Sequence, residues 1–364
     1  MTASDYLKTG GKVSLGFGAM RLPGADETAK MVDAYLESGG NYFDTAYIYT
    51  GSEELLKKVL VKRHPRESYV IADKMPPWEI KTPKDRDRVF NEQLRRTGLE
   101  YFDYYLVHSL SDGAEQSTED SEIFPYVLEQ KKKGLIKHVG FSFHGTTAYL
   151  ERLLKRHPEM EFVQLQLNYI DILRGPAGEW QELAIKYNKP IIVMEPIKGG
   201  SLANLPAPAE KLMKSHAPER SPASWALQYA ANLKGVTCVL SGMSSLAHVK
   251  DNLQTFESLK PMTETETEIL EKVMGEMSKV ASIACTACKY CHSDCPLGID
   301  IASCFSLYNE LKRGAAEWNR SMMYRAIPEG KRASDCTSCG KCVSHCPQGI
   351  DIPRELVTVN KTFS

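Results

Sequence analysis

The sequence predicts an α/β protein, a (β/α)8 TIM barrel followed by a small, mainly helical domain, and three observations carry that prediction. Short apolar runs rich in β-branched residues alternate eight times with longer amphipathic stretches over about 255 residues, the size at which eight βα units close into a barrel. No Gly-x-Gly-x-x-Gly follows the first run. An open doubly wound dinucleotide fold would require one, so that sheet is the alternative the pattern disfavours. Beyond Ser282 the alternation stops, and cysteine runs are separated by apolar residues at helical spacing.

The eight strands are expected at residues 13–20, 42–46, 69–73, 104–108, 138–143, 162–168, 191–195 and 236–241. Several intervening helices carry start signals: Ser52 before Glu-Glu-Leu-Leu, Thr82 before Pro83, and Ser221 before Pro222. Serine or threonine caps free N–H groups, and proline at the first helical position costs little. Residues 245–256 read as the eighth barrel helix and 263–281 as an acidic amphipathic helix leading away from it. The expected organisation is a barrel over 1–260, a helical linker over 261–281 and a second domain over 282–364.

Composition excludes some partners. With 45 basic against 46 acidic side chains in 364 residues, no global field attracts nucleic acid or an anionic membrane. No apolar stretch approaches the length that spans a bilayer. The start, Met-Thr-Ala-Ser-Asp-Tyr-Leu-Lys, lacks the basic and apolar regions of a signal peptide, which points to a reducing cytoplasm and away from disulfides.

The second domain declares its chemistry in its cysteines. Cys285, Cys288, Cys291 and Cys295 follow the spacing C-x2-C-x2-C-x3-C-Pro, and Cys336, Cys339, Cys342 and Cys346 repeat it, each run continuing into Gly-Ile-Asp-Ile. This is the ligand pattern for a pair of 4Fe-4S clusters. A structural zinc site pairs two C-x2-C knuckles across a spacer, which fits three cysteines at two-residue gaps poorly. The spacing rule sends the fourth cysteine of each run to the other cluster. One cluster is then held by Cys285, Cys288, Cys291 and Cys346, the other by Cys336, Cys339, Cys342 and Cys295. The two remaining cysteines, Cys238 and Cys304, lie in apolar surroundings and read as small buried hydrophobes. The insert between the runs has helical spacing over Phe305-Ser-Leu-Tyr-Asn-Glu-Leu-Lys and again over 315–327, longer than a compact ferredoxin needs. A helical ferredoxin-type module is expected.

In a (β/α)8 enzyme, catalytic groups sit at the carboxyl ends of strands. Three consecutive strands here end in polar residues that a core would not choose: Asp44, Lys74 and His108, with Tyr49 five residues past Asp44. A lysine ammonium favours the phenolate of a nearby tyrosine and makes it a usable acid, while Asp44 can pair with Lys74. When hydride reaches a carbonyl carbon, Tyr49 can protonate the oxygen and His108 can donate a hydrogen bond to it. Each residue alone is equally compatible with a structural ion pair; the convergence of four is the signal. Tyr47 and Trp78 nearby read as packing or pocket wall.

These residues carry a resemblance. Gly16-Phe-Gly-Ala-Met-Arg, Phe43-Asp-Thr-Ala-Tyr-Ile-Tyr49, Glu53-Glu-Leu-Leu, Lys74, His108, Gly140-Phe-Ser, Val163-Gln-Leu-Gln-Leu-Asn and Ser241-Gly-Met-Ser with Asp251-Asn252 together resemble an aldo-keto reductase over about residues 1–260. The C-terminal part resembles the 4Fe-4S domain fused to one branch of that family. The resemblance implies a catalytic tetrad of Asp44, Tyr49, Lys74 and His108 with Tyr49 as proton donor, and a nicotinamide cofactor, NADP or NAD, extended across the barrel mouth. It implies that Ser142 and Gln164 hold the carboxamide, that Glu195, Lys198, Gly199, Gly200, Ser201 and Leu202 form the loop over the pyrophosphate, and that Gly242 and Asn252 belong to the nucleotide site. Two departures stand out. Phe143 and His144 follow Ser142 where the family commonly has asparagine, and Gly242-Met-Ser-Ser with His248 replaces the basic residues that grip a 2′-phosphate in many members.

Hydride moves two electrons and each cluster one. The favoured reading is a cytoplasmic oxidoreductase acting on a small-molecule carbonyl or alcohol. Its clusters would exchange electrons with a ferredoxin- or flavodoxin-type partner, or serve structure or redox sensing. One alternative is a ferredoxin-linked reductase with flavin, FMN, in the barrel. The other is a non-enzymatic cluster-bearing sensor or interaction subunit.

Overall fold

The computed structural model describes residues 13–280, 282–313, 315 and 317–363. Expected boundaries at residues 1, 281 and 364, and residue 316 of the expected second helix of the insert, lie outside them. By their contacts the described residues form two compact units, one within 1–196 and 223–262 and the other within 197–222 and 263–364.

In the first unit, β1 (Ser14–Gly18), β2 (Tyr42–Asp44), β3 (Val70–Met75), β4 (Phe102–Leu110), β5 (Ile136–Phe143), β6 (Phe162–Gln166), β7 (Ile191–Met194) and β8 (Val236–Ser241) form a closed parallel barrel in chain order. Closure is made by β1 against β8, with Leu15 opposite Val239. The two-residue period of a strand decides what lines the lumen. Tyr42, Val70, Ala72, Tyr104, Leu106, Phe162, Ile192, Cys238 and Leu240 pack there as one apolar cluster, so the barrel interior is a filled core. Burial pushes the Cys238 thiol up to about 12, in keeping with a small hydrophobe. Stepping two residues further along the strands gives Asp44, Lys74, His108, Ser142 and Gln164, so polar side chains occupy the carboxyl-end layer of the same inward series.

The ends of elements follow from side-chain chemistry. β6 stops before Asn168 because the side-chain Oδ1 of Asn168 accepts from Ile170 and Asp171 N–H, at 3.1 and 3.0 Å, and caps the helix Tyr169–Arg174. Thr82 and Asp85 form a capping box on the helix Pro83–Thr97. Ser52 is not the cap expected from its sequence: Gly51 takes that place in the left-handed region, and the Ser52 hydroxyl donates instead to Ala19 O at 2.8 Å, tying the helix Ser52–Leu56 to the end of β1. Among the described residues no helix is long and apolar enough to cross a membrane.

In the second unit, the helix Ala207–His216 packs on the helix Glu264–Ser278, which opens with a Thr263–Glu266 capping box. The repeat in the cysteine sequence is also a repeat in structure. Each run leads into a helix, Ile301–Lys312 or Ile352–Phe363, whose preceding aspartate accepts an N–H from the first turn: Asp300 from Ser303 at 3.2 Å, and Asp351 from Arg354 at 3.4 Å. A third helix, Glu317–Ala326, presents Tyr324, which stacks on Phe363 at 4.6 Å. Cys304, Phe305, Leu356 and Val359 lie in the shared core.

Gly140 in β5 shows how tightly the lumen is filled. A Cβ there would lie 2.6 Å from the Phe162 carbonyl oxygen and 2.8 Å from its ring. Backbone cannot retreat inside a closed barrel, so Gly140→Ala is expected to cost about 2 kcal/mol and to lower the thermal midpoint; an unchanged midpoint contradicts this packing.

Candidate active site and cysteine cavities

The carboxyl-end layer of the barrel brings four of the expected residues together. Lys74 is wholly buried; its Nζ donates to Asp44 Oδ1 at 2.5 Å and to Thr45 O at 2.6 Å. The ammonium lies 4.9 Å from the centre of the Tyr49 ring, within cation–π range. The Tyr49 ring meets the His108 ring edge to face, 6.0 Å between centres and 81° between planes, and Trp78 covers His108 at 5.7 Å. Burial raises the Asp44 carboxyl above its usual range, with Lys74 pulling it back down. Burial, aided by the Lys74 ammonium and His144, holds His108 well below its ordinary value. At neutral pH the site therefore presents a neutral imidazole beside the Lys74–Asp44 pair.

Several residues that steady this group were not singled out from the sequence. Asp73, the outward neighbour of Lys74 in β3, accepts the Lys74 N–H at 2.8 Å. Burial and the Glu53 carboxylate raise it well above the carboxylate range. Glu53 is in turn gripped by Arg96 at 3.0 Å, Arg96 by Glu92 at 2.7 Å, and Glu92 accepts from the Tyr47 hydroxyl at 2.8 Å. This network anchors the loop that carries Tyr49 to the helix Pro83–Thr97. The other unsignalled residue is Ser109, beside His108, left-handed with φ 55° at a register shift in β4. That conformation aims its N–H at Ser142 Oγ, at 2.7 Å. Nothing in the sequence marks a serine for such a backbone shape.

Of the expected nucleotide residues, Ser142 and Gln164 are direct cross-strand partners on β5 and β6. Gln164 Nε2 rests on Met194 Sδ at 3.6 Å, while its Oε1 is buried without a hydrogen-bond partner. The Ser142 hydroxyl, already accepting from Ser109, keeps its own proton to donate. Asn252 is turned onto Ser241 Oγ, at 2.7 Å, beside the exposed Gly242. Glu195 directly follows β7 with φ 52°, and its carbonyl accepts from Asn168 Nδ2 at 3.3 Å. Lys198, Gly199, Gly200, Ser201 and Leu202 belong to the second unit. They form a tight turn in which Lys198, Gly199 and Gly200 are all left-handed, Ser201 Oγ donates to Lys198 O at 2.7 Å, and Leu202 is buried.

Also in the second unit, Cys285, Cys288, Cys291 and Cys346 line one small cavity, and Cys295, Cys336, Cys339 and Cys342 line another. Each cavity is lined as well by apolar side chains, Phe305 and Ile352 in the first and Leu356 and Ile299 in the second. The C-x2-C loops have one shape: Ala287 and Ser338 are left-handed, and their N–H groups reach Cys285 and Cys336 Sγ at 3.4 Å. Ile299 N–H reaches Cys295 Sγ at 3.3 Å. Burial pushes the Cys291 thiol up to about 12, with Cys288, Cys285 and Cys346 adding to the rise. Four thiolates can share so small a space only around a compensating positive charge, which suits an iron-sulfur core in character.

Comparison with known proteins matches two families to the chain. The Aldo/keto reductase family matches residues 14–274, and the 4Fe-4S dicluster domain matches residues 284–350. An uncharacterized oxidoreductase, YqkF, of Bacillus subtilis is 24% identical over 293 residues, 71% of this chain and 91% of that protein. L-galactose dehydrogenase of Arabidopsis thaliana is 26% identical over 290 residues, 72% of this chain and 91% of that protein. Among solved structures, aldo-keto reductase AKR11C1 from Bacillus halodurans in its holo form superposes with a TM-score of 0.58 at 28% identity, covering 71% of this chain and 91% of that one. An aldo/keto reductase from Klebsiella pneumoniae in complex with NADP and acetate shares the fold at 20% identity and a TM-score of 0.59, covering 71% and 90%.

The depressed His108 gives a pH dependence of stability. As pH falls through about 6.5, the unfolded chain binds a proton on this residue that the folded chain refuses, so its contribution is complete above that pH and is lost below it. The thermal midpoint is expected to drop between about pH 7 and pH 5, and His108→Asn to flatten part of that drop; an identical pH slope in the variant contradicts the assignment.

Proposed function

This chain belongs to the aldo/keto reductase family and carries a 4Fe-4S dicluster domain, and we propose that it reduces a small-molecule carbonyl, or oxidises the matching alcohol, with a nicotinamide dinucleotide. The observation that carries this reading is the buried Lys74–Asp44 pair set against Tyr49 and His108 at the barrel's carboxyl end. Bound nicotinamide supplies or accepts the hydride. Tyr49 gives its proton to the carbonyl oxygen as negative charge gathers there. The Lys74 ammonium stabilises the phenolate that remains, and Asp44 fixes that ammonium in place. His108, kept neutral, donates an N–H to the same oxygen without repelling Lys74.

The carboxamide end of a nicotinamide needs one acceptor and one donor side by side. Gln164 Oε1, buried and unpartnered, and the Ser142 hydroxyl, adjacent in register, supply that pair. The assignments of Gly242, Asn252 and Glu195 to the nucleotide, and of residues 198–202 to its pyrophosphate, rest on the family resemblance.

Along the chain, we assign hydride chemistry to a barrel ending near residue 260, joined through 261–281 to a cluster domain over 282–364. Cys285, Cys288, Cys291 and Cys346 would hold one 4Fe-4S cluster and Cys336, Cys339, Cys342 and Cys295 the second, each exchanging one electron. Cys339 is exposed, which suits electron exchange with a ferredoxin- or flavodoxin-type partner in a reducing cytoplasm.

Tyr49→Phe is expected to lower carbonyl reduction by at least about 100-fold across a panel of aldehydes and ketones with NADPH and NADH, leaving cluster absorbance unchanged. Turnover retained at the wild-type rate overturns the assignment of Tyr49 as proton donor.

A further inference from the structure

The turn Lys198–Gly200 lies far in sequence from the cysteines, yet it touches a residue that lines one of their cavities. Thr286, between Cys285 and Ala287, is 2% exposed and lines the cavity of Cys285, Cys288, Cys291 and Cys346. A Cβ on Gly199 would lie 2.5 Å from Thr286 Cα and 2.7 Å from its carbonyl oxygen. Both are main-chain atoms, and the next residue, Ala287, is held left-handed with its N–H on Cys285 Sγ. Neither side can give way: the turn and the C-x2-C loop touch backbone to backbone, and only glycine at 199 permits it. Gly200 is a natural contrast. It is more extreme in conformation, with φ 100° against 64°, but the nearest atom to a Cβ there is Asn204 Nδ2 at 3.9 Å.

We propose that the Lys198–Gly200 turn is a wall of the seat formed by Cys285, Cys288, Cys291 and Cys346, so that loading this cluster fixes the turn. The functional half of the proposal rests on the reading above, in which the same turn meets the phosphates of the nucleotide. Cluster loading and nucleotide affinity are then linked, because a ligand that orders a segment favours whatever else needs that order. Linkage is reciprocal: bound nucleotide must slow loss of the cluster by chelation as surely as the cluster tightens the nucleotide.

The test uses the full chain, reconstituted without oxygen, as wild type, Gly199→Ala and Gly200→Ala. Both variants put an L side chain in a left-handed position, but only the first collides with the cluster loop. Gly199→Ala is expected to retain about half the wild-type iron and sulfide, and Gly200→Ala all of it. Full iron in Gly199→Ala, or equal loss in both, overturns the wall. Wild-type protein supplies an arm that needs no variant: removal of iron by chelator is expected to speed amide exchange in residues 197–204 at least about tenfold, and unchanged exchange overturns the proposal. The same two samples are titrated with NADPH and NADH by fluorescence, with affinity expected to weaken about tenfold on iron removal. Equal affinity in both overturns the linkage. If loaded wild type binds neither nucleotide, the nicotinamide reading falls, and iron content and exchange alone decide whether the turn is a wall of the seat.

Discussion

The interaction on which the rest of the barrel depends is the ion pair between Lys74 and Asp44, buried where strands β2 and β3 end. Taking two charges out of water costs several kcal/mol each unless geometry and extra hydrogen bonds return it. Here the return comes from the short contact itself and from the Thr45 carbonyl. A pair so placed does little for stability that apolar residues would not do as well. Its value lies in holding the Lys74 Nζ against the Tyr49 ring in a place water scarcely reaches. The filled lumen below it is the precondition, because a loosely packed barrel would hydrate the pair and weaken its field.

Much of this was legible in the sequence because strand periodicity is rigid. Once Tyr42, Ala72 and Leu106 are recognised as inward, Asp44, Lys74 and His108 must point the same way two residues later. The cysteine spacing was legible for a similar reason: a short covalent loop around a cluster leaves few permissible gaps. What escaped was whatever depends on backbone shape or on distant approach. Ser52 looks like a helix cap in sequence, but Gly51 adopts the left-handed conformation that displaces it. Ser109 gains its place from a local shift in β4, and the contact of Gly199 with Thr286 spans 86 intervening residues; neither leaves a mark in hydrophobic patterning. The Glu53–Arg96–Glu92–Tyr47 network was equally hidden, since a single sequence shows charged residues but not which of them meet.

The two units set different electronic tasks within one chain. In the barrel, the polar residues of the carboxyl-end layer gather around the buried Lys74–Asp44 pair. The dicluster domain is arranged around sulfur, with backbone N–H groups turned toward the ligands, a feature that lowers the energy of added electron density on a cluster. Its two halves are built alike, from the left-handed C-x2-C loop to the aspartate that opens the following helix. Their surroundings differ: Thr286 is buried under the Lys198–Gly200 turn, whereas Cys339 meets solvent. Near-identical ligand loops in unlike environments are a means of giving two similar centres different potentials.

The crossing of the fourth cysteines fixes the order in which the cavities can be completed during synthesis. The cavity begun first, at Cys285, waits for Cys346, while the one that opens with Cys295 has all four sulfurs once residue 342 has been made. A growing chain therefore finishes its second site before its first. A nascent chain halted between these points would present one complete set of thiolates and one set of three, a form suited to being bridged by an external thiol or held by an assembly factor. Neither cysteine run lines a cavity alone, so the duplication that the sequence displays as two modules is, in three dimensions, an interlocked pair.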